Sequence, residues 1–297
     1  MSRENANLAW QSKFVLLAVV PFAGTSVFLA CLGWLPESPS VAVWTVGLSL
    51  LLGLITWKLR AATPAAAATG ATITASLMFS SAAFPYSPWH TALIPVLGVS
   101  LFAFAATRIG RQKKERLGTA EARRGRNAYQ IAANLGFAAL AGLAPVQSWL
   151  LDRPWLAHAS LAPTLLFAPM LAALAEAAAD TVSSEIGQVF GGKPRMITTL
   201  RVAETGHDGA ISVVGTLAGI FAAAVIAAAG TVALRGDRNL FLISSAGAIF
   251  GLFFDSLLGA TFEEQGWLNN DLVNFLSTAS ASAFALLLLA FVPLPVA

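Results

Sequence analysis

The sequence predicts an all-α integral membrane protein, a compact bundle of about nine transmembrane helices with its N-terminus on the cytoplasmic side. Three observations carry that expectation. Of the 297 residues, 57% are hydrophobic and 11% charged, and the mean hydropathy is +0.71; soluble domains carry about 25% charged residues. Uncharged runs long enough to cross about 30 Å of hydrocarbon recur along the chain. Lys and Arg fall almost entirely in alternate connecting segments. This composition excludes a soluble globular domain and a disordered chain. A net charge of +3 is too small for capture of a nucleic acid to be the main activity. The single cysteine, Cys31, excludes a disulfide framework and a cysteine metal cluster, and reads as a small buried hydrophobe in the first span.

Taken in order, the uncharged runs are 14–36, 38–57, 61–107, 127–151, 154–175, 209–234, 239–254 and 272–297. The third, 47 residues long, is too long for one helix. Its segment Pro85-Tyr86-Ser87-Pro88-Trp89-His90 marks a turn at the membrane surface, which brings the expected count to nine spans. With the N-terminus inside, 15 of the 18 Lys and Arg fall on the inner side and only Arg153, Arg235 and Arg238 outside. That split follows the positive-inside rule and puts the C-terminus outside. The residues before the first run are too few, and too acidic at Glu4, for a transit peptide, and the run is too long for a signal-peptide core. Gly215/Gly219 and Gly247/Gly251 form GxxxG patterns that let helix backbones approach closely. The loop 108–126 carries eight basic residues against Glu115 and Glu121. It reads as a topology determinant lying on anionic headgroups, with phosphate recruitment as the alternative.

Ionisable residues inside a span cost about 2.5–3.5 kcal/mol, so those present mark a cavity or a partner. Here they are Glu176, Asp180 and Glu185 at the end of the sixth span and Asp255 in the eighth, joined by Asn134 and Asn274 at the starts of the fifth and ninth. The topology expects all six at one cytoplasmic depth, delivered by four helices. Glu176, Asp180 and either Ser183 or Ser184 share a helix face. Carboxylates one turn apart with a hydroxyl below suit a hard cation such as Mg²⁺; the alternative is a set of inter-helix hydrogen bonds without a ligand.

The segment 186–209 adds a basic loop, Gly191-Gly192-Lys193-Pro194-Arg195 with Arg201 following, and then the turn Thr205-Gly206-His207-Asp208-Gly209. A glycine-flanked turn leading into a helix offers free N–H groups to phosphate, and Lys193, Arg195 and Arg201 would add a cationic clamp. Asp208 reads equally as a plain N-cap, and His207, the only histidine on this face, reads as a solvated loop residue with a general base as the alternative. His90 and His158 fall near the outer side and receive no role. The inner loop between Asp255 and Asn274 is polar and has no Lys or Arg.

The run Ala179-Asp180-Thr181-Val182-Ser183-Ser184-Glu185-Ile186-Gly187 resembles the (G/A)DTxASEIG segment of a polytopic membrane family that includes the plant phytyl-phosphate kinase of vitamin E synthesis and a human transmembrane homologue. Pro194 to Thr199, the turn Gly206 to Ser212, Asp255 to Thr261 with Asn274, and Gly125-Arg126 with Gln130 and Asn134 resemble its other blocks in order. The likeness covers about residues 60–295, a family-like core that leaves the spans within 14–57 as a variable N-terminal part of one polytopic domain, 1–297. His207 and Asp208 depart from the family's usual GTNG turn, and the charge of Asp208 opposes a phosphate bound directly there.

The resemblance implies a membrane-embedded phosphotransferase that converts an isoprenyl monophosphate to its diphosphate with Mg²⁺ and a nucleoside triphosphate, CTP or ATP, at the cytoplasmic face of a bacterial inner membrane. A phosphate monoester needs no general base, because its second pKa is about 6. Asp180, Glu185 and Asp255 are the expected metal ligands and catalytic groups. Lys193, Arg195, Arg201, Gly206 and Gly209 would bind phosphate, and Asn134, Asn274 and Ser184 would orient the acceptor. The expected partners are the bilayer and the isoprenoid phosphate, with no nucleic acid. No Walker-type signature is present. The rival reading is an ion-coupled transporter or lipid flippase built on the same carboxylates.

Overall fold

The structure, a computed structural model, describes residues 8–153 and 163–291. Arg3, Glu4, His158, the start of the sixth expected span and the end of the last lie outside the described residues.

The chain is an all-α membrane protein. Its first two helices, α1 (Ala9–Glu37) and α2 (Pro39–Lys58), meet at a break of a single residue, Ser38. Their outward faces carry large apolar side chains such as Trp10, Phe14, Leu50 and Trp57, as a lipid-facing helix requires. Helix α3 (Pro64–Ser80) starts at Thr63, whose side chain accepts from the Ala66 N–H, with proline in the first turn. As expected, the segment 85–90 is not part of a span: a single 3₁₀ turn, Pro88–His90, separates α3 from α4 (Leu93–Arg108). A bend of 67° leads from α4 into the short basic helix α5 (Arg111–Leu117).

Helix α6 (Ala128–Gly142) opens with a capping box between Asn127 and Gln130 and bends by 49° into α7 (Ala144–Leu151). A 3₁₀ turn (Pro163–Phe167) then leads into α8 (Ala168–Phe190). After a loop with a two-residue antiparallel ribbon, β1 (Arg195–Met196) and β2 (Ala210–Ile211), come α9 (Val213–Ala233), α10 (Arg238–Leu258) and α11 (Asn270–Leu289). A π-helical turn, Gly259–Glu263, extends α10.

Helix α8 is the axis of the bundle. It packs on α4, α6, α9, α10 and α11, and 89% of the hydrophobic window of its span is buried, against 17–39% in the other long spans. Its run of alanines from Ala168 to Ala179 gives neighbours on all sides a close approach. The GxxxG patterns serve that approach as expected. A side chain at Gly219 would meet the Ala179 carbonyl at 2.8 Å, and one at Gly247 would meet the Ala281 carbonyl at 2.7 Å.

The span count differs from the nine expected. Each of the nine expected spans contains a helix, but among the described residues six helices are long and apolar enough to span, or eight if each bent pair counts once. Helix α3, with 17 residues and about 26 Å of length, falls short, and most of its residues are covered by protein. The sixth span outlasts its uncharged run: α8 carries Glu176, Asp180 and Glu185 in its last turns, as expected, and ends at Phe190. Hydropathy measures affinity for lipid, whereas α8 meets protein, where charged residues can find partners.

Candidate functional site

Side-chain contacts draw the polar segments to one end of the bundle. Gln11 donates to the Trp267 carbonyl (2.8 Å), Ser12 donates to Asp271 (2.6 Å), and Arg126 Nη2 donates to Thr181 Oγ1 (3.3 Å). At this end lies a polar cavity of about 430 Å³. Asp180, Ser184 and Glu185 of α8 line it, together with Asn134 of α6, Asp255 of α10 and Asn274 of α11. Gly206 and Gly209 line it from the loop before α9. Four helices therefore converge as expected and bring five of the six expected residues to the cavity, while Glu176 does not line it.

Helix α8 supplies the floor. Asp180 and Asp255 are neighbours in this cavity, and Glu176 lies one helical turn before Asp180 on the same face of α8, buried. Glu176 Oε1 and Asp255 Oδ1 are buried and have no hydrogen-bond partner among the described residues. Buried carboxylate oxygens left unpaired are costly, and they are the donor type that a hard cation takes. Among the described residues no group of three or more His, Cys, Asp or Glu is arranged to hold a metal ion. The pair Asp180 and Asp255 still fits Mg²⁺, which commonly takes one or two carboxylates and completes its shell with water and substrate phosphate.

Glu185 lines the same cavity but is engaged elsewhere. Lys114 Nζ pairs with its Oε2, and Thr107 Oγ1 donates to its Oε1 (3.3 Å). Of the expected triad Asp180, Glu185 and Asp255, Glu185 is thus the member that has a lysine partner. Ser184 accepts from Gln188 (3.2 Å), Asn134 donates to the Gln130 carbonyl (2.8 Å), and Asn274 is buried with its carbonyl accepting from Ser277 (2.9 Å).

The expected phosphate clamp is not assembled. Lys193, Arg195 and Arg201 are exposed and do not line the cavity, and Arg195 donates instead to the Leu200 carbonyl (2.7 Å). Arg195 lies in the β1–β2 ribbon, paired with Ile211, and Lys193 and Arg201 lie in the loop on either side of β1. The glycine turn does not lead straight into a helix either. Ser212 is the N-cap of α9, accepting from the Gly215 N–H (3.1 Å), so Asp208 is not a cap. Gly206 and Gly209 have φ of +88° and +72°, and Gly209 lies so close to Ala260 that no side chain fits. Asp208 stands at the cavity mouth, where partial burial raises its carboxyl above the ordinary range; His207 opposes that shift and Glu264 adds to it.

The cation in the cavity wall is one that sequence analysis left unassigned. Among the described residues, Arg126 is the one Lys or Arg that lines the polar cavity. Its backbone is fixed to the α2–α3 connection: Arg126 N donates to the Ala61 carbonyl (3.0 Å) and Thr63 N donates to the Arg126 carbonyl (3.0 Å). Gly125, at φ +83°, lets the two segments touch where any side chain would strike Ala61.

Arg126 also lines a second cavity, an apolar groove of about 390 Å³ between α2, α3, α4 and α6. The two cavities share Glu121, Arg126 and Asn134. An apolar groove thus abuts an acidic cavity, with a fixed guanidinium at the boundary.

The family pattern described as integral membrane protein DUF92 matches residues 47–282. The chain belongs to this family. An uncharacterized membrane protein of Synechocystis sp. is 28% identical over 96% of this DUF92 chain and 93% of its own length. An uncharacterized membrane protein of Methanocaldococcus jannaschii is 47% identical over 108 residues, 36% of this chain and 45% of that one. Protein VTE6, chloroplastic, of Arabidopsis thaliana is 34% identical over 119 residues, 38% of this chain and 35% of its own. The matched stretch therefore spans less than half of the M. jannaschii and VTE6 proteins. No solved structure matches the chain. In this DUF92 protein the signal for Arg126 was present in the sequence as Gly125-Arg126 followed by Gln130 and Asn134, but one arginine among eight basic loop residues has nothing local to set it apart.

Proposed function

We propose that this DUF92 protein is a phosphotransferase that converts a membrane-held isoprenyl monophosphate to its diphosphate at the expense of a nucleoside triphosphate. The observation that carries the reading is the junction of the apolar groove with the acidic cavity at Arg126 and Asn134. An amphiphile with a greasy tail and a phosphate head matches that junction. Similarity to the VTE6 protein, which extends across 38% of the chain, supports it.

In this reading the basic end of the bundle faces the cytoplasm, as the positive-inside rule expects and as supply of nucleotide requires. Arg126 grips the acceptor phosphate, and Asn134 beside it fixes the orientation. An oxygen of the acceptor phosphate attacks the terminal phosphorus of the nucleotide. One O–P bond forms, the bond to the bridging oxygen breaks, and the nucleoside diphosphate leaves with that oxygen. No protein base is needed for a dianionic acceptor, so positioning and charge neutralisation are what the site must provide. Asp180 and Asp255 would hold Mg²⁺, which would neutralise charge on the donor phosphates. Gly206 and Gly209 lie where backbone approaches the cavity, while Lys193, Arg195 and Arg201 stand outside it and Glu185 serves Lys114.

The test uses membranes containing wild-type protein or Asp180→Asn at matched expression, supplied with phytyl or geranylgeranyl monophosphate, Mg²⁺ and each nucleoside triphosphate in turn. Mass spectrometry should find prenyl diphosphate with wild type and none with the variant. Absence of product from every donor and acceptor pair rejects the reading.

A further inference from the structure

We infer that the groove between α2, α3, α4 and α6 is the seat of the lipid tail, and that Gly70 and Ser100 on its opposing walls set how long a tail it accepts. This inference rests on the phosphotransferase reading for the headgroup, but locates a binding site that the reading leaves open.

Helix packing makes the groove. Helix α2 packs on α1 and α3, whereas α4 packs mainly on α8 and α9. The seam between these two sets is the groove, with Ile131 and Asn134 of α6 at its back. Along α4 it runs from Thr107 at the basic end to Val96. Those eleven steps of helix amount to about 16 Å, roughly half the depth of the hydrocarbon. Its deep walls are apolar or small, including Leu52, Thr74 and Val99.

The mouth is charged in the opposite sense to a phosphate. Arg60, Arg108, Arg111, Arg123 and Arg126 line it, against the single acid Glu121. Arg111 and Arg123 both pair with Glu115 (3.1 and 3.5 Å), whereas Arg60, Arg108 and Arg126 have no carboxylate partner among the described residues; Arg108 donates to the Leu59 carbonyl (3.0 Å) and stacks on Phe104. An apolar slot with a basic rim selects a tailed anion over a neutral lipid or a free nucleotide. Arg126 then joins the mouth to the acidic cavity.

Gly70 is the place where the groove is widened by a missing side chain. A Cβ there would meet only the Ile131 Cγ2 methyl, at 3.7 Å, an ordinary contact. Gly53, by contrast, is needed for packing, since its Cβ would lie 2.9 Å from the Ala67 carbonyl. A larger residue at position 70 therefore projects into the groove without prising helices apart. Gly70 lies six residues, about 9 Å, along α3 from Pro64, deep enough to block a long tail while leaving the mouth clear. Ser100 lines the opposite wall from α4, and neither residue lines the polar cavity.

The experiment reconstitutes the full chain in lipid nanodiscs and photolabels it with a long-chain prenyl monophosphate bearing a diazirine at the tail end, with unlabelled geranylgeranyl monophosphate as competitor. Competed label is expected on peptides from 64–80 and 93–108. Gly70→Leu and, independently, Ser100→Leu should each weaken competition by geranylgeranyl monophosphate about tenfold, or 1.4 kcal/mol, while competition by dimethylallyl monophosphate is unchanged. Competed label on the outer faces of α9 or α10, label undiminished by both substitutions, or no competed label at all would overturn the assignment. Diphosphate formation by the same nanodiscs separates the two claims. Groove labelling without product would reject the kinase and keep the tail site; product with label elsewhere would reject the tail site and keep the kinase.

Discussion

Lys114 folds back from α5 to place its ammonium against the Glu185 carboxylate of α8, across 71 residues of sequence. The lysine side chain is 1% exposed and the glutamate 14%. The same ammonium donates to the carbonyls of Ala106 (3.0 Å) and Thr107 (2.9 Å), so it also closes the C-terminal end of α4. The basic loop is therefore anchored into the bundle by at least one of its charges. Removing one partner of a buried pair leaves the other charge uncompensated, at a cost of about 3–5 kcal/mol. Lys114→Met should lower the unfolding midpoint in detergent markedly, and the double variant with Glu185→Gln should recover part of the loss. Equal midpoints for the single and double variants would show that the two groups are not coupled.

Close approach of α9 to α8 is a second structural requirement with a sharp consequence. A Cβ at Gly219 would lie 2.8 Å from the Ala179 carbonyl and 2.9 Å from Ser183 Cβ. Gly219→Ala must push α9 away from the helix that carries Asp180, and overpacking of this kind costs about 1–3 kcal/mol. Gly33 is the control, because a methyl added there would have nothing within 4 Å. Gly33→Ala should leave the midpoint unchanged or slightly raised, as glycine in a helix is itself unfavourable. Thermal unfolding of the two variants side by side decides the point.

The bundle was legible in the sequence where lipid is the neighbour and illegible where protein is. The outward residues of α1 and α2 are apolar because they meet hydrocarbon, so the hydropathy of Ala9–Glu37 reports its position directly. Helix α8 meets other helices, and its acids ended the apolar run fifteen residues before the helix itself ends at Phe190. The convergence of Asp180, Asp255, Asn134 and Asn274 followed from topology, because parity alone puts those helix ends together. The diversion of Glu185 and the entry of Arg126 depend on Lys114, Thr181 and the Ala61 carbonyl, distant partners that no local pattern specifies. Lys193, Arg195 and Arg201 stand outside the cavity for a similar reason, since charge near a motif says nothing about whether a loop side chain reaches it.

Asp208 provides a pH signature outside the membrane-spanning helices. Burial at the cavity mouth raises its carboxyl, against the pull of His207 and with the help of Glu264. A raised carboxyl binds its proton more tightly in the folded chain than in the unfolded one. Its ionised form therefore opposes folding above the folded pKa, and that penalty disappears as the pH falls below the unfolded value. Asp208→Asn should accordingly raise the unfolding midpoint at pH 7 and have no such effect below about pH 3.8, the ordinary value for the group. A midpoint lowered at pH 7 would mean that the aspartate is stabilising where it stands.

Arg126 and the pair of Asp180 and Asp255 should separate cleanly in function. Loss of one fixed donor to a phosphate costs about 10²–10³ in turnover, and Arg126→Ala is expected in that range with prenyl monophosphate. Arg126→Lys should recover only part of it, since an ammonium cannot reproduce the guanidinium fork. Asp180→Asn and Asp255→Asn should abolish product at low Mg²⁺ without lowering the unfolding midpoint, because each removes repulsion between two neighbouring carboxyls. The exposed loop is the counterweight. Lys193→Ala, Arg195→Ala and Arg201→Ala change exposed residues that do not line the cavity, so stability should move by no more than about 0.5 kcal/mol and turnover should stay near that of the wild type. Turnover measured across the whole set would assign the phosphate grip to Arg126 if only that arginine matters. A large loss in the loop variants with little in Arg126→Ala would return the clamp to the loop and place the acceptor phosphate outside the cavity.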